Sequence, residues 1–192
     1  MTLIYLKQWQ QSQEFLENRP NAILLMGLGG SLSAKYRVGE GILCLQCSLV
    51  QAEQKPQWKD CDQKLNKLIK QHFGEKIRQG RLITSDRLIY LAREKQELGK
   101  WYQADVVDME GIVLLDFCNS WQIPLVVIRV ISDDYRQNLP NLTPAFEANG
   151  TLNPLLLTRQ MLQNPLNSAH LIVCSLIALR KLQQIAKEIS LM

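Results

Sequence analysis

The sequence predicts a single α/β domain. Three observations carry that expectation. Short apolar runs of strand length alternate with segments of helical periodicity along the 192 residues. One run, Leu125-Val126-Val127-Ile128-Arg129-Val130-Ile131, is rich in β-branched residues and mostly apolar on both faces, as a central sheet strand must be. No internal repeat and no linker-like stretch divides the chain.

The elements follow in order. Lys7 to Asn18 is polar but carries Trp9, Phe15 and Leu16, which suits an amphipathic helix, and Arg19-Pro20-Asn21 ends it. Ala22 to Met26 is a strand that runs into a glycine turn, Gly27-Leu28-Gly29-Gly30. A loop over Tyr36 to Glu40 leads to a second strand, Gly41 to Val50. Gln51 to Asp60 is polar and interrupted by Pro56, and Leu65 to Phe73 is a helix with Lys64, Lys67 and Lys70 on a solvated face. A short strand, Arg81 to Thr84, precedes a helix from Leu88 to Leu98, for which Asp86 is the candidate cap. Ala104 to Val107 is a strand. Glu110 to Trp121 is a helix with Leu114, Phe117, Cys118 and Trp121 at helical spacing. After the strand opened by Pro124, Asp134 to Asn149 reads as a polar loop. From Ser168 onward, Leu176, Leu179, Leu182, Ile185 and Ile189 form one apolar face of a long helix.

Composition narrows the function class. Apolar residues make up 46% and charged residues 21%, and the net charge is +4. That balance permits anionic small ligands, while the absence of a dense Lys/Arg stripe with aromatics argues against nucleic acid. Five cysteines at irregular spacing do not form a disulfide framework. No basic segment leads into a long apolar stretch at the start, so a reducing cytoplasm is expected. Cys44-Leu45-Gln46-Cys47 is a CxxC without a second pair or a nearby His. In a strand an offset of three places the thiols on opposite faces, so core packing is expected there rather than a metal. His72 and His170 are isolated, and no metal site is expected.

The informative stretch is Ala104 to Asp134, ADVVDMEGIVLLDFCNSWQIPLVVIRVISDD. If its two strands are parallel neighbours, the helix between them makes a right-handed crossover. Asp108-Met109-Glu110 and Ser132-Asp133 then share the carboxyl edge of the sheet, where such sheets bind ligands. Read alone, Asp108 could simply cap the following helix, and Ser132-Asp133-Asp134 could simply end a strand.

Asp108-Met109-Glu110-Gly111, a helix, Ile123-Pro124, an apolar strand and Arg129-Val130-Ile131-Ser132-Asp133 resemble the signature of the nucleoside phosphorylase/nucleosidase family. Gly27-Leu28-Gly29-Gly30-Ser31-Leu32 with Val38-Gly39-Glu40 resembles the family's glycine turn. Ile83-Thr84-Ser85-Asp86-Arg87-Leu88-Ile89 resembles its base-side segment. Phe146-Glu147-Ala148-Asn149-Gly150 and Pro165 before a long helix are most similar to the hopanoid-associated branch. The resemblance runs from about residue 20 to the end. It implies a phosphorylase/hydrolase-like three-layer α/β/α domain around a mixed central sheet, over residues 1–192.

The resemblance also implies chemistry. Breaking an N-glycosidic bond leaves positive charge on the sugar and negative charge on the base. Asp133 matches the family's acid, which protonates the leaving base. Glu110 matches the carboxylate that holds the ribose hydroxyls. Met109 would pack on the sugar, Leu88 and Ile89 would flank the base, and Gly27, Gly29, Gly30 and Ser132 would complete the site. The family's first strand and its glycine loop are expected to have no counterpart. Leu25 and Leu28 stand where several phosphorylases place an Arg and a Ser on phosphate, and neither can bond an anion.

The expected ligand is therefore a purine nucleoside, with an adenosyl-hopanoid as the branch-specific form. No cofactor is implied; inorganic phosphate is the candidate co-substrate and water the other nucleophile. Two alternatives stay open: a methylthioadenosine-type nucleosidase, and a non-catalytic derivative that binds a nucleoside or a partner. A homo-oligomer is expected because a lost strand exposes a sheet edge, as is peripheral membrane contact if the ligand is a hopanoid.

Overall fold

The computed structural model describes residues 6, 8–51, 54–145 and 153–191. Helix α1 is Gln13–Glu17, strand β1 Ile23–Ser31, β2 Gly41–Leu49 and β3 Lys59–Asp60. Helix α2, Gln63–Phe73, leads through one 3-10 turn to β4, Ile77–Thr84. Then come α3 Ala92–Tyr102, β5 Val106–Asp108, α4 Gly111–Ser120 and β6 Leu125–Asp133. Helices α5, Pro154–Gln163, and α6, Pro165–Ile189, close the chain.

The strands form one mixed sheet in the order β3-β2-β4-β5-β1-β6, and β6 also pairs with β2, so the sheet curls back on itself. Strand β6 is buried along its whole length, because it sits between β1 and β2 with helices on both sides. Its alternation divides the core. Leu125, Val127 and Ile131 face α4 and Phe15 of α1, together with Ile42 and Leu82. Val126, Ile128 and Val130 face α2 and α6, with Leu43, Ile69, Ala178 and Ile185. A third cluster, Leu32, Ile83, Ile89 and Tyr102, seats α3. The expected arrangement of helices on both faces of a mixed sheet is what is observed.

Several boundaries differ for physical reasons. The glycine turn is not a turn: β1 runs straight through Gly27, Gly29 and Gly30 to Ser31. The glycines are there for close approach. A Cβ on Gly29 would stand 2.8 Å from Val106 Cγ1, and one on Gly30 3.0 Å from Asp133 Oδ2. Strand β4 begins four residues before the expected Arg81, because Ile77 reaches the core beyond the polar Arg78 and Gln79. Residues 85–91 are irregular and α3 starts only at Ala92, so Asp86 caps nothing; the Ala92 N–H donates to Asn138 Oδ1 instead, at 2.8 Å. The expected N-terminal helix is interrupted rather than continuous: residues 8–10 are helical, Gln11 and Ser12 break the run, and Ser12 Oγ caps Gln13–Glu17 by accepting from Phe15 N at 3.2 Å.

Strands β5 and β6 are not neighbours. Strand β1 lies between them, antiparallel to β5 and parallel to β6, so no simple β5–β6 crossover exists. Cys44 and Cys47 do not face opposite ways either. A bulge at Leu45 shifts the β2–β4 register, and both thiols enter the same core, where Cys47 Sγ lies 3.7 Å from Cys61 Sγ. Burial pushes the Cys44 thiol well above the ordinary range.

Lys70 is partly drawn in, its Nζ donating to the carbonyls of Gly74 and Ile77 at 2.6 and 3.1 Å. Helix α5 was not expected; Asn153 caps it and Pro154 opens it. Helix α6 turns Cys174, Ala178 and Ile185 inward and leaves Leu176 and Leu179 exposed. The segment Phe146–Gly150 lies outside the described residues.

Truncating a buried side chain of β6 should destabilise the protein markedly. Ile128→Ala is expected to lose about 2–5 kcal/mol, the usual cost of a large-to-small change at a fully buried site. Leu155→Ala, at an 83% exposed position, should stay within about 0.5 kcal/mol of the parent. Urea unfolding of both variants measures the contrast.

Candidate active site

A cavity of about 190 Å³ opens where the carboxyl ends of β1 and β6 meet β5. Its walls bring together Gly29, Gly30, Leu88, Ile89, Met109, Glu110, Ser132 and Asp133, all expected from the sequence. Leu28, Arg87, Val107 and Asp108 complete the lining. Gly27 does not reach it; its α-carbon gives room to the Arg129 guanidinium instead. A larger, more open groove of about 660 Å³ lies between α2 and strands β2 and β4, with Leu45, Gln63, Lys67 and Gln71 among its lining. It contains none of the expected residues.

Each acid is placed by its own device. Asp108 is held from all sides. Its carboxylate accepts from Thr84 Oγ1 at 2.7 Å and from Gly111 N at 2.9 Å, so it does satisfy the start of α4. Arg129 Nε donates to its Oδ2 at 2.9 Å, and Arg129 Nη2 bonds the same oxygen. Both side chains of this pair are buried. Asp108 is thereby consumed by structure rather than free for a ligand.

Glu110 is different. Its side chain remains 44% exposed and faces the cavity, with one 3.3 Å contact from Arg129 Nη2. Burial raises its pKa above the ordinary glutamate range and the neighbouring Asp108 adds to this, while Arg129 opposes it. Met109 is exposed on the rim. Ile89 is buried and Leu88 half-buried, so the base-side wall is a preformed apolar surface on the irregular 85–91 segment.

Asp133 ends β6 at a second bulge. Gly29 pairs with Ile131 and Gly30 with Asp133, which leaves Ser132 as the extra residue and re-aims the acid. Ser132 Oγ donates to Asp133 Oδ1 at 2.8 Å, with the Gly29 carbonyl as its other acceptor at 3.3 Å. Oδ2 is bonded by the ammonium of Lys95, which comes from α3 and is fully buried. Lys95 Nζ also donates to the carbonyls of Asp134 and Gln137, at 3.2 and 3.3 Å. Arg87 on the wall is held by Glu94, Nη1 to Oε2 at 3.2 Å.

Arg129 and Lys95 were missed as site partners. A lone Arg in an apolar strand is a signal in retrospect, since burying it demands a carboxylate. Lys95 sits among polar helix residues and gives no signal at all.

The chain is thus an α/β protein with an acid-lined cleft at the carboxyl ends of β1 and β6, beside a preformed apolar wall. The family model described as the phosphorylase superfamily matches residues 10–162. The chain therefore belongs to that superfamily, the enzyme class of the nucleoside phosphorylases and nucleosidases. No curated protein sequence matches it.

Solved structures show the same fold. Futalosine hydrolase of Helicobacter pylori aligns at TM-score 0.60 and 19% identity, over 89% of this chain and 73% of its own. The 5′-methylthioadenosine/S-adenosylhomocysteine nucleosidase of H. pylori, complexed with butyl-thio-DADMe-Immucillin-A, gives 0.61 and 18%, over 95% and 74%. The corresponding nucleosidase of Campylobacter jejuni gives 0.61 and 15%, over 92% and 76%.

The buried pair yields a stability test. Arg129→Met should cost about 3–5 kcal/mol, because it strands a buried carboxylate. Adding Asp108→Asn removes that charge and should recover part of the loss. Urea unfolding of the two variants decides; an equal loss in both would mean the pair is not coupled.

Proposed function

We propose that this protein cleaves the N-glycosidic bond of a purine nucleoside. The observation that carries the reading is that Glu110 and Asp133 face one cavity from strands separated by β1, with Leu88 and Ile89 forming an apolar wall beside them. The purine would lie against that wall, within reach of Asp133. Asp133 would give a proton to the base as the bond to the sugar breaks. Glu110, negative and half exposed, would accept hydrogen bonds from the ribose hydroxyls and offset the charge that grows on the sugar. Met109 would cover the ribose at the rim.

Water is the nucleophile this site supports best. Leu28 on the wall has no donor for an anion, and the Arg87 guanidinium is taken up by Glu94. A cavity of about 190 Å³ encloses less than a whole nucleoside, so the 5′ substituent would extend past Met109 to the outside. That geometry suits a thioether or a larger lipid substituent equally. The structural relatives named for futalosine and for 5′-methylthioadenosine support the nucleosidase class. The apolar residues left exposed on α5 and α6, Leu162 and Leu166 among them, support a homo-oligomer.

The alternative is a nucleoside-binding derivative without catalysis, favoured by the apolar Leu28 where an anion would otherwise be held. Release of free base separates the two. The purified chain, given adenosine and 5′-substituted adenosines with and without phosphate, is expected to liberate adenine. Asp133→Asn should lower kcat by about 10²–10⁴-fold. Binding without release from the parent protein would support the derivative instead, and phosphate dependence would replace water as the nucleophile.

Glu110 makes a pH prediction. Its pKa is raised by burial, and only the carboxylate binds the ribose in this scheme. Affinity for an uncleavable C-nucleoside should therefore fall on acidification, and should begin to fall above the ordinary glutamate range. Glu110→Gln should bind more weakly at neutral pH and lose that acid dependence, as read by titration calorimetry.

A further inference from the structure

We propose that Lys95 is the positioning residue for Asp133, fixing which oxygen carries the reactive proton and neutralising the carboxylate that proton transfer leaves behind. This inference rests on the nucleosidase reading of the same site.

The argument starts from donors and acceptors. An ammonium can only donate. Lys95 Nζ has three partners: Asp133 Oδ2 and the carbonyls of Asp134 and Gln137. Its three hydrogens are thus all assigned, and its side chain has no exposed surface. Oδ2 of Asp133 must therefore act as an acceptor. A proton on the Asp133 carboxyl belongs on Oδ1.

Ser132 permits this. A hydroxyl both donates and accepts. When Asp133 is ionised, Ser132 Oγ donates to Oδ1, as observed at 2.8 Å. When Oδ1 carries a proton, the hydroxyl turns to donate to the Gly29 carbonyl, 3.3 Å away, and accepts from Oδ1. The two neighbours of Asp133 have divided roles: Ser132 follows the proton, and Lys95 stays fixed.

In the chemical step the Oδ1–H bond breaks and an N–H bond forms on the leaving base. The electron pair of the glycosidic bond goes to the base, and Asp133 is left as a carboxylate. Its new negative charge appears beside an ammonium already in place, inside a buried site that need not reorganise. A buried lysine also carries a desolvation cost, which one carboxylate and two carbonyls offset here.

Lys95 joins other contacts between the two segments. Leu139 N donates to the Tyr90 carbonyl at 2.8 Å, and Ala92 N to Asn138 Oδ1 at 2.8 Å. The base-side segment and the segment after β6 are thereby fastened together, with Lys95 at the acid end of the seam.

The test compares Lys95→Met, Lys95→Arg, Asp133→Asn and the double variant Lys95→Met/Asp133→Asn in the full chain. With 5′-methylthioadenosine as substrate, Lys95→Met is expected to lower kcat by about 10²–10³-fold with KM within about threefold. Lys95→Arg keeps a donor-only cation and should restore part of the rate. The double variant should be no slower than Asp133→Asn alone, because Lys95 acts through Asp133.

Lys95→Met strands Asp133, so thermal unfolding is measured on all four proteins. The Tm loss of the double variant should be smaller than the sum of the single losses. This second readout needs no catalysis and tests the Lys95–Asp133 pairing even if the parent protein releases no base. Normal kcat in Lys95→Met, or additive Tm losses, would overturn the proposal. A parent that lacks activity but shows non-additive Tm losses would overturn the nucleosidase reading and leave the Lys95–Asp133 pairing standing.

Discussion

The contact between Arg129 and Asp108 holds the architecture of the site together. Arg129 lies in the most buried strand of the sheet, and a guanidinium there must be met by a carboxylate. Asp108 meets it from the end of β5, and the same carboxylate accepts from the first N–H of α4, that of Gly111. Thr84 on β4 bonds that carboxylate and also accepts from Ile112 N at 2.9 Å. Three strands and a helix are thus pinned at one point. The neighbouring β1 must then carry Gly27, because a side chain there would occupy the space of the guanidinium.

The geometry of the cavity follows from that pin. With Asp108 spent on Arg129 and α4, Glu110 is carried past the pin to the cavity rim, half exposed and aimed inward. The β1 glycines let β5 and β6 close in on either side, which brings Glu110 and Asp133 to one space. The bulge at Ser132 supplies the remaining adjustment. Bulges trade a regular ladder for a redirected side chain, and this one redirects the acid. The two carboxylates thus face different surroundings: one bonded by an ammonium and a hydroxyl in the interior, the other open to a ligand.

Much of this was legible in the sequence. The α/β class, β6 and the helix after Asp108 follow from periodicity, and Glu110 and Asp133 follow from the resemblance that their motifs carry. The boundaries that failed did so where a tertiary contact overrides the local pattern. Gly27 to Gly30 looks like a turn because glycine is read as backbone freedom, whereas here it serves closeness to Arg129, Val106 and Asp133. Cys44 and Cys47 look opposed because strict alternation ignores the bulge at Leu45. Leu88 to Leu91 look like the first turn of a helix, but Ile89 is spent on the core and Leu88 on the cavity wall, so the helix begins only at Ala92.

The sequence by itself determined which segments are buried, their local periodicity and the chemical types available at the site. Those properties depend on neighbours a few residues away and on hydrophobic patterning. Only the tertiary structure decided the partners. It placed β1 between β5 and β6, matched Arg129 to Asp108 across 21 residues, and matched Lys95 to Asp133 across 38. A buried ion pair leaves no periodic trace in the chain, since its energy depends on distance and burial in the folded state. Asp133 was therefore readable from its motif, while the lysine beside it emerged only when the helix and the strand were brought together.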